Sequence, residues 1–283
     1  MTLILTLLLV GSIGGFLAGI MGVGGGLVFI PILTYLFAQF PGISNEEAVR
    51  FTLANSITLV FASGLSGIYR QIKMGIYDFR KSLTVGIPGA AAAAAMSYAI
   101  QHGNWYSHER FTWVFLGFLL LSIGNMLFKK ENDSSPVNTE NTSTLARLLV
   151  GLCAGTVVSL SGLGGGIVMV PLFRMILKLP VKKATALSLS IVPLLSIFPI
   201  IQYLSISDAP LLSNAVLPTL NTMKLFQTQY LVGLFYIPMA LGVVVFSSFG
   251  QKTALKTPTP IIRFIFALLS SIILIKTIYE LLQ

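Results

Sequence analysis

Charge is scarce in this chain. Only 10% of its 283 residues are Asp, Glu, Lys or Arg, against 55% apolar, and the mean hydropathy is +0.87. Soluble domains carry about 25% charged residues, and a chain of this length would need far more polar surface to cover one core. That excludes a water-soluble enzyme, a disordered chain and a nucleic-acid binder, and it points to an integral membrane protein with the lipid bilayer as partner. Cysteine is nearly absent: Cys153 stands alone in an apolar stretch, so there is no disulfide framework. Histidine is limited to His102 and His108 in one loop, with no Cys or acidic cluster at ligand spacing. They read as ordinary loop histidines, and neither a metal nor a cofactor is expected. With no His in a span, a nucleophile–base pair or metal set for an intramembrane enzyme is missing too.

Long apolar runs are abundant. A bilayer core of about 30 Å asks for roughly 20 apolar helical residues. Ten segments qualify or nearly so: 2–20, 26–38, 51–68, 82–100, 111–128, 144–160, 166–179, 184–204, 230–249 and 261–279. They lack the period-2 alternation of a barrel, so the expected fold is an all-α membrane protein of about ten transmembrane helices. The first run has no basic n-region, since no Lys or Arg precedes Arg50, and it reads as a retained span rather than a signal peptide. Starting from an outside N-terminus, fourteen basic residues fall on inside stretches, and only Arg50, Arg110, Lys224 and Lys276 fall outside. This positive-inside bias predicts both termini outside the cell (plasma or inner) membrane. Pro88, Pro193, Pro199 and Pro238 lie inside spans and predict kinks.

The chain repeats itself. Gly22-Val-Gly-Gly-Gly26 returns as Gly162-Leu-Gly-Gly-Gly166, and eight of the 21 positions from 11 to 31 match at an offset of 140. Farther on, Arg50-Phe-Thr-Leu-Ala-Asn-Ser56 resembles Lys182-Lys-Ala-Thr-Ala-Leu-Ser188 at an offset of 132. The expected units are a first five-helix repeat over 1–128, a polar cytoplasmic linker over 129–143 and a second repeat over 144–283. Five is odd, so the second copy would run through the membrane in the opposite sense, the inverted design of many secondary transporters.

The glycine turns carry the chemistry. Each leads into a short helix; 26–38 has 13 residues, about 20 Å at 1.5 Å per residue, less than a bilayer core. Short, glycine-interrupted segments at matching positions of two halves point to a transporter binding site. The first turn of a helix presents unpaired N–H groups and partial positive charge, which suits an anion. The candidate substrate-binding residues are therefore Gly22, Gly24, Gly25, Gly26, Gly162, Gly164, Gly165 and Gly166, with Asn55, Ser56, Ser161, Thr185 and Ser188 as neutral hydrogen-bonding groups. Gly15-xxx-Gly19 and Gly151-xxx-Gly155 have the spacing of close helix packing. No Gly-Lys-Ser/Thr follows either loop, which disfavours a nucleotide site.

Arg50 and Arg174 are candidate charge partners for a substrate, though Arg174 is also placed to snorkel to the headgroups. None of the nine acids sits mid-span, which argues for an anionic substrate. Coupling to a proton or to sodium stays open, as do the oligomeric state and whether 206–226 lies on the outer surface or partly re-enters.

The paired signature, Gly15-xxx-Gly19-xx-Gly22-x-Gly24-Gly25-Gly26 with Pro31 and its copy over Gly162–Pro171, resembles the TauE/SafE family of membrane permeases over nearly the whole chain. The resemblance implies a carrier of small sulfur-containing anions, such as sulfite or sulfonates like sulfoacetate, often an exporter. The family commonly shows Thr-Ser-Leu at the third span of each half; Asn55-Ser56-Ile57 and Leu187-Ser188-Leu189 stand there here. A carrier or channel for another small anion, such as a carboxylate, is the alternative.

Overall fold

Each of the ten expected segments overlaps one helix in the computed structural model, which describes residues 2–40, 42–103, 105–128, 143–164, 166–207, 209–212 and 226–281. In chain order these are α1 (Thr2–Met21), α2 (Gly26–Ala38), α3 (Asn45–Lys73), α4 (Phe79–His102), α5 (His108–Phe128), α6 (Thr144–Ser161), α7 (Gly166–Met175), α8 (Val181–Ser205), α9 (Gly233–Lys256) and α10 (Thr259–Leu281). Just before α9, β1 (Gln227–Thr228) and β2 (Leu231–Val232) form a two-residue antiparallel pair. Seven of the helices, α1, α3, α4, α6, α8, α9 and α10, are long and apolar enough to cross a membrane. Leu5, Leu9, Ile13, Leu121, Val245 and Ile275 are among the large apolar side chains left exposed on them or on α5, as lipid contact requires. The linker, Gly165, Asp208 and most of 206–226 lie outside the described residues.

Local chemistry sets the helix ends. Ser44 and Glu47 close a capping box at α3, with the Glu47 amide donating to Ser44 Oγ (3.2 Å) and the Ser44 amide to Glu47 Oε2 (2.7 Å). This starts α3 six residues before its apolar run. Asp78 caps α4 by accepting from the Lys81 amide at 3.0 Å. Gly22 and Gly162 end α1 and α6 with φ of +69° and +65°, a conformation open to glycine. Pro88, Pro193, Pro199 and Pro238 sit inside continuous helices.

Packing interleaves the two halves of the chain. α1 lies along α9, and α6 lies along α4. In lipid there is little hydrophobic drive between helices, so close backbone approach through small residues holds them. A Cβ at Gly15 would sit 2.6 Å from Val243 Cα, and one at Gly242 would sit 2.6 Å from Leu8 O. Gly151 and Gly155 meet the Val85 and Gly89 backbones of α4 in the same way. Gly15 and Gly151–Gly155 thus pack as their spacing suggests. Helices α3 and α8 cross at the centre in antiparallel sense: Gly64 meets Pro193, Gly67 meets Leu189, and the Gln71 amide donates to Ala186 O at 2.9 Å.

Candidate functional site

The two glycine turns touch each other. A Cβ on Gly26 would lie 2.6 Å from Leu163 Cα and 2.9 Å from Gly162 O. One on Gly166 would overlap Gly22 O and Val23 Cα. Gly24 and Gly164, with φ of +78° and +76°, both lie against Val60 of α3. Gly25, at φ +85°, is the N-cap of α2, and the amides of Val28 and Phe29 both donate to its carbonyl. The N-termini of α2 and α7 therefore start at one central point and the helices leave it in different directions. Gly25, Gly26 and Leu27 occupy the positions whose N–H groups have no partner in an α-helix. Two positive helix ends brought together raise the local potential, a setting that an anion relieves.

The neutral side chains assigned to the site are at its edge, with their hydrogens engaged. Ser56 Oγ donates to Gly162 O at 2.9 Å, and Ser188 Oγ donates to Gly22 O at 2.8 Å. Each serine thus holds back a turn carbonyl, the group that would repel an anion. Ser161 Oγ donates to Val157 O (2.7 Å) and accepts from the Leu163 amide (3.3 Å), and Thr185 Oγ1 donates to Lys182 O (3.0 Å). Asn55 is fully occupied: its Nδ2 donates to Phe51 O (2.8 Å) and Tyr230 O (2.9 Å), and its Oδ1 accepts from the Val232 amide (3.0 Å). The space beside the first turn, lined by Ala18, Met21, Val23 and Gly25, is about 10 Å³, too small for an anion.

The two ends of the bundle differ. Where α3 begins, Tyr230 is centred 4.9 Å from Phe51 and 6.2 Å from Tyr203, and Phe37 stacks on Phe51 at 5.2 Å. This plug is buried, with Asn55 tying Tyr230 and Val232 to it. Arg50, half-buried, is within electrostatic reach of Tyr203 there. Where α3 ends, a cavity of about 440 Å³ opens between α3, α4, α8 and α9, lined by Gln71, Asp78, Lys81, Lys182, Lys183 and Ser190 among others. Asp78 lies in the loop at its rim. Burial pushes its carboxyl up, but the Lys81 side chain and amide and the charges of Lys81 and Arg147 outweigh that and hold it below the ordinary value. Arg174 is half-buried in the last turn of α7. Gly165 is outside the described residues.

Reading the sequence missed this cavity because its lysines were counted only as topology markers. The register of the repeat was the available signal: Lys182 answers Arg50 and Leu187 answers Asn55 at the offset of 132.

Long apolar helices, an exposed apolar belt and two interrupted helices meeting at the centre define a multi-pass helical membrane protein. The chain belongs to the TauE/SafE family: the model described as "Sulfite exporter TauE/SafE" matches residues 7–277. It is similar to a probable membrane transporter protein of Methanocaldococcus jannaschii, 29% identical over 88% of this chain and 84% of that one. A probable membrane transporter protein of Haemophilus influenzae is 26% identical over 97% of this chain and 98% of its own length. The probable membrane transporter protein YunE of Bacillus subtilis is 24% identical over 66% of this chain and 72% of its own. No solved structure matches the chain. The protein is a membrane transporter, not an enzyme.

Proposed function

We propose that this transporter moves small sulfur-containing anions, sulfite and short sulfonates such as sulfoacetate, across the cell (plasma or inner) membrane by alternating access. The carrying observation is the junction of the α2 and α7 N-termini, where Gly26 lies against Leu163 and Gly166 against Val23. Ser56 and Ser188 hold the Gly162 and Gly22 carbonyls, and the N–H groups of the two first helical turns are the donors open to a ligand. The halves are inverted repeats, a reading supported by equivalent pairings: α1 with α9 as α6 with α4, Ser56 with Gly162 as Ser188 with Gly22, and antiparallel α3 and α8. The end bearing Lys81, Lys182 and Lys183 faces the cytoplasm and both termini face outside. The structure then represents a state closed at the outer plug, open at the cytoplasmic cavity and collapsed at the central site. The substrate enters by parting the two turns.

Purified protein in liposomes tests this. Labelled sulfite and sulfoacetate are expected to enter saturably, to show counterflow and to compete with each other more strongly than short carboxylates do. Uptake of carboxylates alone, or non-saturating flux without counterflow, would overturn the substrate class or the carrier mechanism respectively.

A further inference from the structure

Resting on the transport reading, we infer that the cytoplasmic-end cavity is a loading site for a doubly charged anion, held by Lys182 and Lys183 ahead of the central site. Its lining carries three ammonium groups (Lys81, Lys182, Lys183) against one carboxylate (Asp78), a net formal charge of +2. Lys81 is committed to Asp78 at 2.8 Å, so the uncompensated charge belongs to the other two. Lys182 gives one N–H to Leu255 O at 2.8 Å, which fixes its head and leaves two of its three donors for a ligand. Lys183 is exposed one residue farther on.

The rest of the lining is uncharged, with Gln71 and Ser190 set among the apolar Ile76, Leu179, Ala186, Leu187 and Leu255. Gln71 and Ser190 are only 2% and 1% exposed, and Ser190 Oγ sits 2.9 Å from Ser82 Oγ. At about 440 Å³ the cavity is within the size range of small-molecule sites. Ser190 Oγ donates to Leu187 O and Ser82 Oγ to Asp78 O, both at 2.8 Å, and one Nε2–H of Gln71 goes to Ala186 O, so the donor left for an anion below the rim is the second Nε2–H of Gln71. The floor also lies near the centre: Ser188, two residues before Ser190, holds the Gly22 carbonyl of the first glycine turn.

The repeat explains why this end is the open one. At the offset of 132, Asn55 ties the plug at the far end while Leu187, its counterpart, only lines the cavity. Arg50, the counterpart of Lys182, lies at that far end, within electrostatic reach of Tyr203. In the opposite state Arg50 takes over the role of Lys182, so each mouth has a cation at that register position of its central helix, and the cytoplasmic mouth adds Lys183 where the other has Phe51.

The test is a labelling ratio. In a Cys153→Ala background, Ala186→Cys puts a thiol on the cavity wall. The rate with iodoacetate divided by the rate with uncharged iodoacetamide reports local positive potential. Lys183→Gln, which leaves the Lys182–Leu255 contact intact, and Lys182→Gln are each expected to lower the ratio about fivefold, a typical effect of one partly screened charge. Sulfoacetate is expected to slow labelling of the parent and to protect the double variant at least tenfold less well. In proteoliposomes KM from the cytoplasmic face is expected to rise about tenfold in the double variant while KM from the outer face holds. An unchanged ratio and unchanged protection would overturn the loading site even if transport is found. A lowered ratio and lost protection would support it even where the flux assay denies transport.

Discussion

The hydroxyl of Ser56 donates a 2.9 Å hydrogen bond to the carbonyl of Gly162, a residue 106 positions away. Ser188 does the same for Gly22 at 2.8 Å. The pair binds each half's third helix to the other half's glycine turn, and it fixes which way the turn peptides face. Ser56→Ala and Ser188→Ala are each expected to cost about 1 kcal/mol and to reduce anion flux about tenfold, as a freed carbonyl can swing toward the anion. Thermal unfolding in detergent and proteoliposome uptake check both; wild-type values in both would dispose of the idea.

Gly166 tests the contact between the turns. Alanine there drives a methyl group into the backbone of Gly22 and Val23, which cannot yield as a side chain could. Gly166→Ala is expected to cost about 1–3 kcal/mol and to abolish flux. Gly117→Ala, a helical position with nothing within 4 Å of its Cβ, is the control and should leave both unchanged or raise stability slightly.

Asn55 is expected to act as the latch of the plugged end. Asn55→Leu, which installs its counterpart's residue, strands Tyr230 O and the Val232 amide and should weaken closure by about 1–3 kcal/mol. In a Cys153→Ala background, a thiol at Ala54→Cys should be silent to outside reagents and become reactive when Asn55→Leu is added. The Ala186→Cys thiol at the other end should lose reactivity in parallel. Identical labelling with and without Asn55→Leu would show that the latch lies elsewhere.

Asp78 gives a pH signature. Its carboxyl is held below the ordinary value of about 3.9, so its ionised form stabilises the fold. That contribution is fully present above the ordinary value and is lost as pH falls through the lowered one. Asn caps a helix as well as Asp, so Asp78→Asn isolates the charge. Melting curves of the two proteins should differ at pH 5 to 7, begin to draw together only below the ordinary value and converge once pH has fallen through the lowered one; a gap that persists there would point to the cap instead.

Much of this architecture is legible in the sequence because lipid imposes a simple rule, long apolar runs satisfied by helices. Boundaries depended on other forces. α3 begins at Asn45 because Ser44 and Glu47 cap it, although its apolar run starts at Phe51. α7 stops at Met175, with Lys178 at φ +50° in the turn beyond it, and α9 starts at Gly233 because Leu231–Val232 pairs with Gln227–Thr228. The glycine turns were readable as turns. Their mutual contact was not, since it spans about 140 residues and involves backbone that any sequence shares. Nor does a serine announce that its acceptor is a carbonyl of the opposite half. The plug of Phe51, Tyr203 and Tyr230 likewise assembles from three separate segments.

The pairing of α1 with α9 has a consequence for how the molecule is made. Helices enter the bilayer in order of translation, so α1 waits through most of synthesis with Gly11, Gly15 and Gly19 bare to lipid. The first five helices cannot mature alone, because the surface that α1 needs is the last but one to be built. A ribosome that stops after α5 releases a fragment whose glycine face seeks any small-residue partner, including another copy of itself.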